Sequence, residues 1–321
     1  MNNKYEPLFK SLTLPNGVEV RNRFVLAPLT HTSSNDDGTI SDIELPYIEK
    51  RSKDVGIAIN AASNVNDVGK AFPGQPSVAH DSDIEGLKEL AQVMKKNGAK
   101  AIVQIHHGGA QALPELTPDG DVVAPSAISL KSFGQQEEHD AREMTAEEIE
   151  QTIRDFGEAT RRAIEAGFDG VEIHGANHYL IHQFVSPYYN RRNDVWADNY
   201  KFPVAVIDEV VKAKKAHAND DFINRLKLIH QWINGRMPLI GIGSVFTAED
   251  ALNAVENIGV EFVALGREIL LDYDFVAKIK EGREDEIINA FDPNREDQHY
   301  LTPNLWEQFN QGFYPLPRKD K

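Results

Sequence analysis

A chain of 321 residues with a formal net charge of −16 and no cysteine is long enough for a large core and poor in the groups that several functions need. Without clustered Lys and Arg, nucleic-acid binding is disfavoured, because phosphate contacts need a basic patch; without cysteine, disulfides, iron–sulfur clusters and thiol nucleophiles are excluded together. The opening MNNKYEPLFKSL lacks the apolar run of a secretory signal and no stretch approaches the roughly 20 apolar residues of a membrane span, so a cytoplasmic location away from membranes is expected.

Short apolar runs alternate with amphipathic helical patterns, the signature of repeated βα units. The spacing predicts strands at 24–27, 57–62, 101–105, 170–173, 239–242 and 261–265, mostly without polar alternation, as in parallel strands buried on both faces. A helix is predicted at 81–97, ending before Gly98. Thr145-Ala146-Glu147-Glu148 is a capping box. The helix it opens repeats apolar residues at Ile149, Ile153, Phe156, Ala163 and Ile164 and ends at Gly167, in the left-handed conformation expected of a C-terminal glycine. Thr247-Ala248-Glu249-Asp250 starts a third.

The predicted class is α/β, a TIM (β/α)8 barrel forming one domain over residues 1–321. A closed barrel needs eight strands, yet only six are evident, with a weak seventh at 221–223. The 64 residues from 175 to 238 hold a loop and two helical patterns, whereas each βαβ step needs roughly 30. The region of strands five and six is therefore expected to be missing or truncated near residue 223.

The segment VEIHGANHYLIHQF carries the most chemistry. Val171-Glu172-Ile173 reads as a buried strand that stops at His174, with Asn177 and Tyr179 following at the C-terminal mouth, where barrel active sites lie. Imidazole and carboxamide can donate to one developing oxyanion, and a phenol can deliver a proton. His174, His178 and His182 at four-residue spacing also match a zinc helix, but they leave a strand and no nearby acid completes the set. His106-His107 reads as a polar rim, and His31 either lines the mouth or, as expected here, is solvated.

Gln104, between Val103 and Ile105, is either satisfied by backbone or reads an imide-like edge. Thr30, past Pro28-Leu29, reads by itself as a turn hydroxyl. Ala61 and Ala62 are small enough for a flat ring to lie close. Gly243-Ser244 and Gly266-Arg267 end the last two strands, where this fold binds phosphate through glycine backbone, a helix N-terminus and a forked cation.

Taken together, the chain resembles the Old Yellow Enzyme family of FMN-dependent NAD(P)H oxidoreductases. The resemblance rests on Asn22-Arg23-Phe24-Val25-Leu26-Ala27-Pro28-Leu29-Thr30, Val103-Gln104-Ile105-His106-His107-Gly108-Gly109, His174-Gly175-Ala176-Asn177 with Tyr179, Pro238-Leu239-Ile240-Gly241-Ile242-Gly243-Ser244 and Val263-Ala264-Leu265-Gly266-Arg267, in family order. It implies FMN as cofactor and NADH or NADPH as reductant. The second substrate is implied to be a small unsaturated molecule, an α,β-unsaturated carbonyl or related compound, reduced by hydride from flavin N5 with Tyr179 as proton donor. His174 and Asn177 resemble the pair that binds the activating oxygen. Pro28, Leu29, Thr30, Ala61 and Gln104 match ring contacts, and Gly243, Ser244, Gly266 and Arg267 the phosphate cradle.

Three departures stand out. The family's arginine near flavin N1 and O2 has only Arg225 as a candidate. His178 replaces the glycine common before the tyrosine. Trp196-Ala197-Asp198-Asn199-Tyr200-Lys201-Phe202 replaces a GGS-type loop. The competing readings are a non-redox barrel lyase or isomerase binding a phosphorylated metabolite, which would need a base not evident at a strand end, and a flavin-binding protein with impaired turnover.

Overall fold

Six short parallel strands organise the computed structural model, which describes residues 3–217, 238–243, 245–313 and 316–319. β1 (Phe24–Leu26) leads through α1 (Glu44–Ser52) to β2 (Ile57–Ile59), and α2 (Ile84–Lys95) precedes β3 (Lys100–His106). α3 (Ala146–Glu165) runs into β4 (Gly170–Ile173), which is followed by α4 (Leu180–Val185) and α5 (Lys201–His217). β5 (Ile240–Ile242), α6 (Ala248–Asn253), β6 (Phe262–Leu265) and α7 (Arg267–Leu271) continue the alternation. The strands lie in the order β4-β3-β2-β1-β6-β5, each pair parallel. All six predicted strands are present. The predicted 81–97 helix resolves into a 3-10 turn at Asp81–Asp83 and then α2.

Strand periodicity divides the core in two. Val25, Ala27, Ile57, Ile59, Phe262 and Ala264 cluster with Ile102 inside the barrel. Phe24, Leu26, Ala58, Val103, Ile105, Val263 and Leu265 face the surrounding helices. A hairpin of Leu12–Thr13 with Glu19–Val20 supplies Leu12 and Leu14, which pack on the inner cluster.

The helix signals act as read. The Thr145 hydroxyl accepts from the Glu148 amide at 3.2 Å, and the Glu148 carboxylate accepts from the Thr145 amide at 2.8 Å. Thr247 and Asp250 repeat the box at α6, and Gly167 closes α3 at φ 86°.

Among the described residues the arc is open between β4 and β5. Register with β6 pairs Ile240 with Phe262 and Ile242 with Ala264, so both isoleucines face the interior. They are nonetheless 43% and 73% exposed, because among the described residues no strand covers that side. Among the described residues β4 and β5 each keep one edge unpaired, and the gap expected near residue 223 falls outside those residues. The weak seventh strand at 221–223 lies outside the described residues.

One buried group is costly. Glu268, on α7, is buried with both carboxylate oxygens lacking a partner among the described residues. Burial, with Asp272 adding repulsion, pushes its carboxyl up to about 8. An acid raised in the folded state binds a proton that the unfolded chain has released, so stability falls as pH rises from the ordinary value of 4.5 to about 8. Glu268→Gln is expected to out-stabilise wild type by a margin growing across that range, up to roughly 1.4 kcal/mol per pH unit. A margin that stays constant with pH in urea titrations contradicts this.

Candidate functional site

β3 and β4 set the site. Their register pairs Glu172 with Gln104; two residues further on, the same parity carries His106 and His174 to the inner mouth. The chain then turns through Asn177 and His178, at φ 54° and 60°, and the Tyr179 amide donates to the Ala176 carbonyl at 3.2 Å. Asparagine tolerates left-handed backbone and histidine does so at more cost, which is the physical reason glycine suits position 178.

Gln183 of α4 welds this turn to the loop after β3. Its Oε1 accepts from the Ala110 amide at 3.0 Å, and its Nε2 donates to the carbonyls of Gly108 at 3.2 Å and His178 at 2.6 Å. A Cβ on Gly109 would lie 2.2 Å from that Oε1, so the close approach requires glycine there.

Three rings meet at the mouth. Tyr179 stands nearly perpendicular to His106 at 4.2 Å and to His174 at 5.0 Å between centroids, and the two imidazoles are 5.4 Å apart. The His174 Nδ1 accepts from the Ala176 amide at 3.3 Å, which leaves the proton of the neutral ring on Nε2. Burial lowers this imidazole to about 4, so at neutral pH it is an uncharged donor. Burial also raises the Tyr179 phenol above its ordinary value, keeping it protonated.

His106 was not singled out from sequence as part of this cluster. Gln75 fixes its tautomer: Gln75 Oε1 accepts from the Ala71 amide at 2.7 Å, while its Nε2 contacts the Ala62 carbonyl and the His106 Nδ1, both at 3.0 Å. His106 then carries its proton on a buried Nε2 that has no partner among the described residues.

His106 and His107 are both buried, and burial holds His107 down to about 3. His31 corrects the expectation that it is solvated. It is fully buried where its loop folds under α1, 5.8 Å from the Tyr47 ring and 3.9 Å from Glu44. The three histidines at four-residue spacing also divide, with His178 and His182 stacked at 4.8 Å and His174 joined to Tyr179. Asn177 is exposed, and its carboxamide makes no hydrogen bond among the described residues.

Below the mouth, Pro28, Leu29 and Thr30 are half-buried after β1, and Ala61 and Ala62 are buried after β2. Asn60 beside them is fully buried with neither side-chain polar atom partnered among the described residues; a polar residue ending an apolar strand was the overlooked signal. Gln104 Nε2 donates to the Glu172 carboxylate at 3.0 Å, a side-chain rather than a backbone partner. Burial raises the Glu172 carboxyl.

The last two strands end in open glycine backbone. A Cβ on Gly266 would find Leu29 Cδ2 nearest, at 4.0 Å, and one on Gly243, at φ 122°, would meet nothing within 4 Å. Arg267 is exposed, its guanidinium 5.3 Å from the Phe246 ring centroid. Ser244 and Arg225 lie outside the described residues. Small side chains, an unpartnered buried carboxamide and this glycine rim with its arginine fit a flat polar ring with an anionic tail.

The profile of the NADH:flavin oxidoreductase / NADH oxidase family matches residues 7–236. The probable NADH-dependent flavin oxidoreductase YqiG of Bacillus subtilis (strain 168) is 42% identical over 375 residues, covering 98% of this chain and 99% of that protein. Since 98% of 321 residues is about 315, about 60 aligned positions have no counterpart here. That is the size of two βα units, in agreement with the strand shortfall counted in the sequence. Morphinone reductase in complex with tetrahydroNAD superposes with a TM-score of 0.76 at 23% identity, over 92% of this chain and 97% of that one. The Old Yellow Enzyme homologue from Zymomonas mobilis gives 0.73 at 21% identity, over 86% and 92%. These likenesses establish the (β/α)8-barrel fold class.

Proposed function

We propose that this chain, which belongs to the NADH:flavin oxidoreductase / NADH oxidase family, reduces the C=C bond of α,β-unsaturated carbonyl or related activated compounds. It is an FMN-dependent NAD(P)H oxidoreductase of the Old Yellow Enzyme type, which removes the non-redox lyase or isomerase from consideration. Bound FMN supplies the two-electron chemistry linking NAD(P)H oxidation to reduction of the second substrate. The residues present fit that group. Gly243, Ser244, Gly266 and Arg267 would hold its phosphate, and Pro28, Leu29, Thr30, Ala61 and Gln104 its ring, within a single domain spanning residues 1–321.

The observation that carries the reading is the His174–Tyr179 pair, a neutral donor and a protonated phenol 5.0 Å apart at one mouth. His174 Nε2–H, with Asn177 as second donor, would bind the oxygen of the activating group as charge builds there. Tyr179 would hold the proton destined for the α-carbon. Anaerobic mixing tests this: NADH should bleach the yellow holoenzyme and cyclohex-2-enone should restore the colour with loss of the enone double bond. Bleaching by NADH with no recovery in any enone would reject alkene reduction.

One observation favours a second reading, a flavin-binding protein with impaired turnover: among the described residues no strand covers the inner side of Ile240 and Ile242. Phosphate contacts then matter more for retention. Arg267→Ala is expected to raise the FMN dissociation constant roughly 10- to 100-fold, the scale of a lost charge-assisted hydrogen bond. Riboflavin, which has no phosphate, serves as control, and an equal loss for both ligands in fluorescence titrations would contradict the assignment.

A further inference from the structure

A small three-stranded set, Val123–Ala124, Ile128–Leu130 and His139–Glu143, is inserted between β3 and α3. The turn joining its last two strands carries Phe133. The Gln135 amide donates to the Ser132 carbonyl at 3.0 Å and Gly134 sits at φ 81°, the pattern of a type II turn. The turn is tethered to the loop after β3: the Phe133 amide donates to Gln111 Oε1 at 3.2 Å, and the His139 ring bonds the Ala110 carbonyl at 3.0 Å. Ser132 and Gln111 are buried. The backbone is thus held in place while Phe133 is 60% exposed. Its ring stands 6.1 Å from Tyr179 at 75°, on the approach to the three rings at the mouth.

We infer that Phe133 is a specificity-determining residue, forming an apolar wall that selects second substrates with a flat aromatic or conjugated flank next to the reacting double bond. The inference rests on the alkene-reductase reading for its choice of substrate. Phe133 fills none of the roles assigned to His174, Asn177 or Tyr179. A ring fixed in water beside the proposed proton donor gains cover only when a ligand of matching shape lies against it, and aromatic pairs reward edge-to-face or offset contact.

The test uses FMN-loaded wild type, Phe133→Ala and Phe133→Leu, each checked for flavin content and melting temperature. Steady-state kinetics compare 4-phenylbut-3-en-2-one with cyclohex-2-enone, and absorbance titrations of the oxidised enzyme compare 4-phenylphenol with phenol. Phe133→Ala should raise KM for the phenyl enone and Kd for 4-phenylphenol about tenfold, the scale of one aromatic contact, with Leu between. Values for the two smaller ligands and the limiting rate of reduction by NADH should stay within about twofold. Equal losses for large and small ligands, or none for either, would overturn the inference. If wild type is reduced by NADH but reduces neither enone, the alkene reading fails, and the phenol titrations alone decide Phe133.

Discussion

Tyr179→Phe should slow reoxidation of the reduced enzyme by an enone by roughly 10² to 10⁴-fold, the usual range for loss of a positioned general acid, while NADH-driven reduction keeps its wild-type rate. The two half-reactions differ in what they ask of this side chain. Accepting electrons from NADH needs no proton from the substrate side of the mouth, whereas completing an alkene reduction needs one at the α-carbon. Phenylalanine keeps the ring edge-to-face against His106 and His174 and removes only the hydroxyl. Burial raises the phenol's pKa, so its proton stays in place through neutral pH and ionisation of Tyr179 should add no break to the rate profile below its ordinary value of 10.0. Stopped-flow traces of each half-reaction separate the outcomes. Equal slowing of both, at normal FMN content, would assign Tyr179 to packing and withdraw it as the proposed donor.

The six strands were legible because each is a short apolar run bounded by glycine, proline or a capping box, and buried parallel strands need nothing else. A shortfall of strands was legible by arithmetic, since the interval after Ile173 is too short for two more βα steps along with its loop and helices. His174 and Tyr179 could be placed at one mouth because a strand that stops at a polar residue in this fold ends there. Burial of loop residues was not legible. His31 follows a strand and looks solvated in one dimension, and His106 reads there as a polar rim; Tyr47 and Glu44 from α1, and Gln75 and Tyr179 from distant loops, close over them. Phe133 is the converse, an aromatic that a tethered turn holds in water. Gln104 was open between two partners because its actual one, Glu172, lies 68 residues away and meets it only through the β3–β4 register.

His174→Ala is expected to cost the enone half-reaction about 2.7–4 kcal/mol, the loss of one oxyanion donor, with a much smaller effect on reduction by NADH. The donor must be the neutral ring. An ordinary histidine would change charge near 6.5, but burial holds this one to about 4, and the Ala176 amide occupies Nδ1 so that Nε2 bears the proton. Wild-type enone reduction should therefore run without a His174 inflection between about pH 5 and about pH 9. The pH dependence separates this role from mere ring packing: His174→Asn keeps a hydrogen-bond donor and should recover part of the rate, whereas His174→Phe keeps the ring and should not. Recovery by phenylalanine, or an inflection near 6.5 that disappears in the asparagine variant, would show that charge or stacking, and not a neutral N–H, is what position 174 contributes.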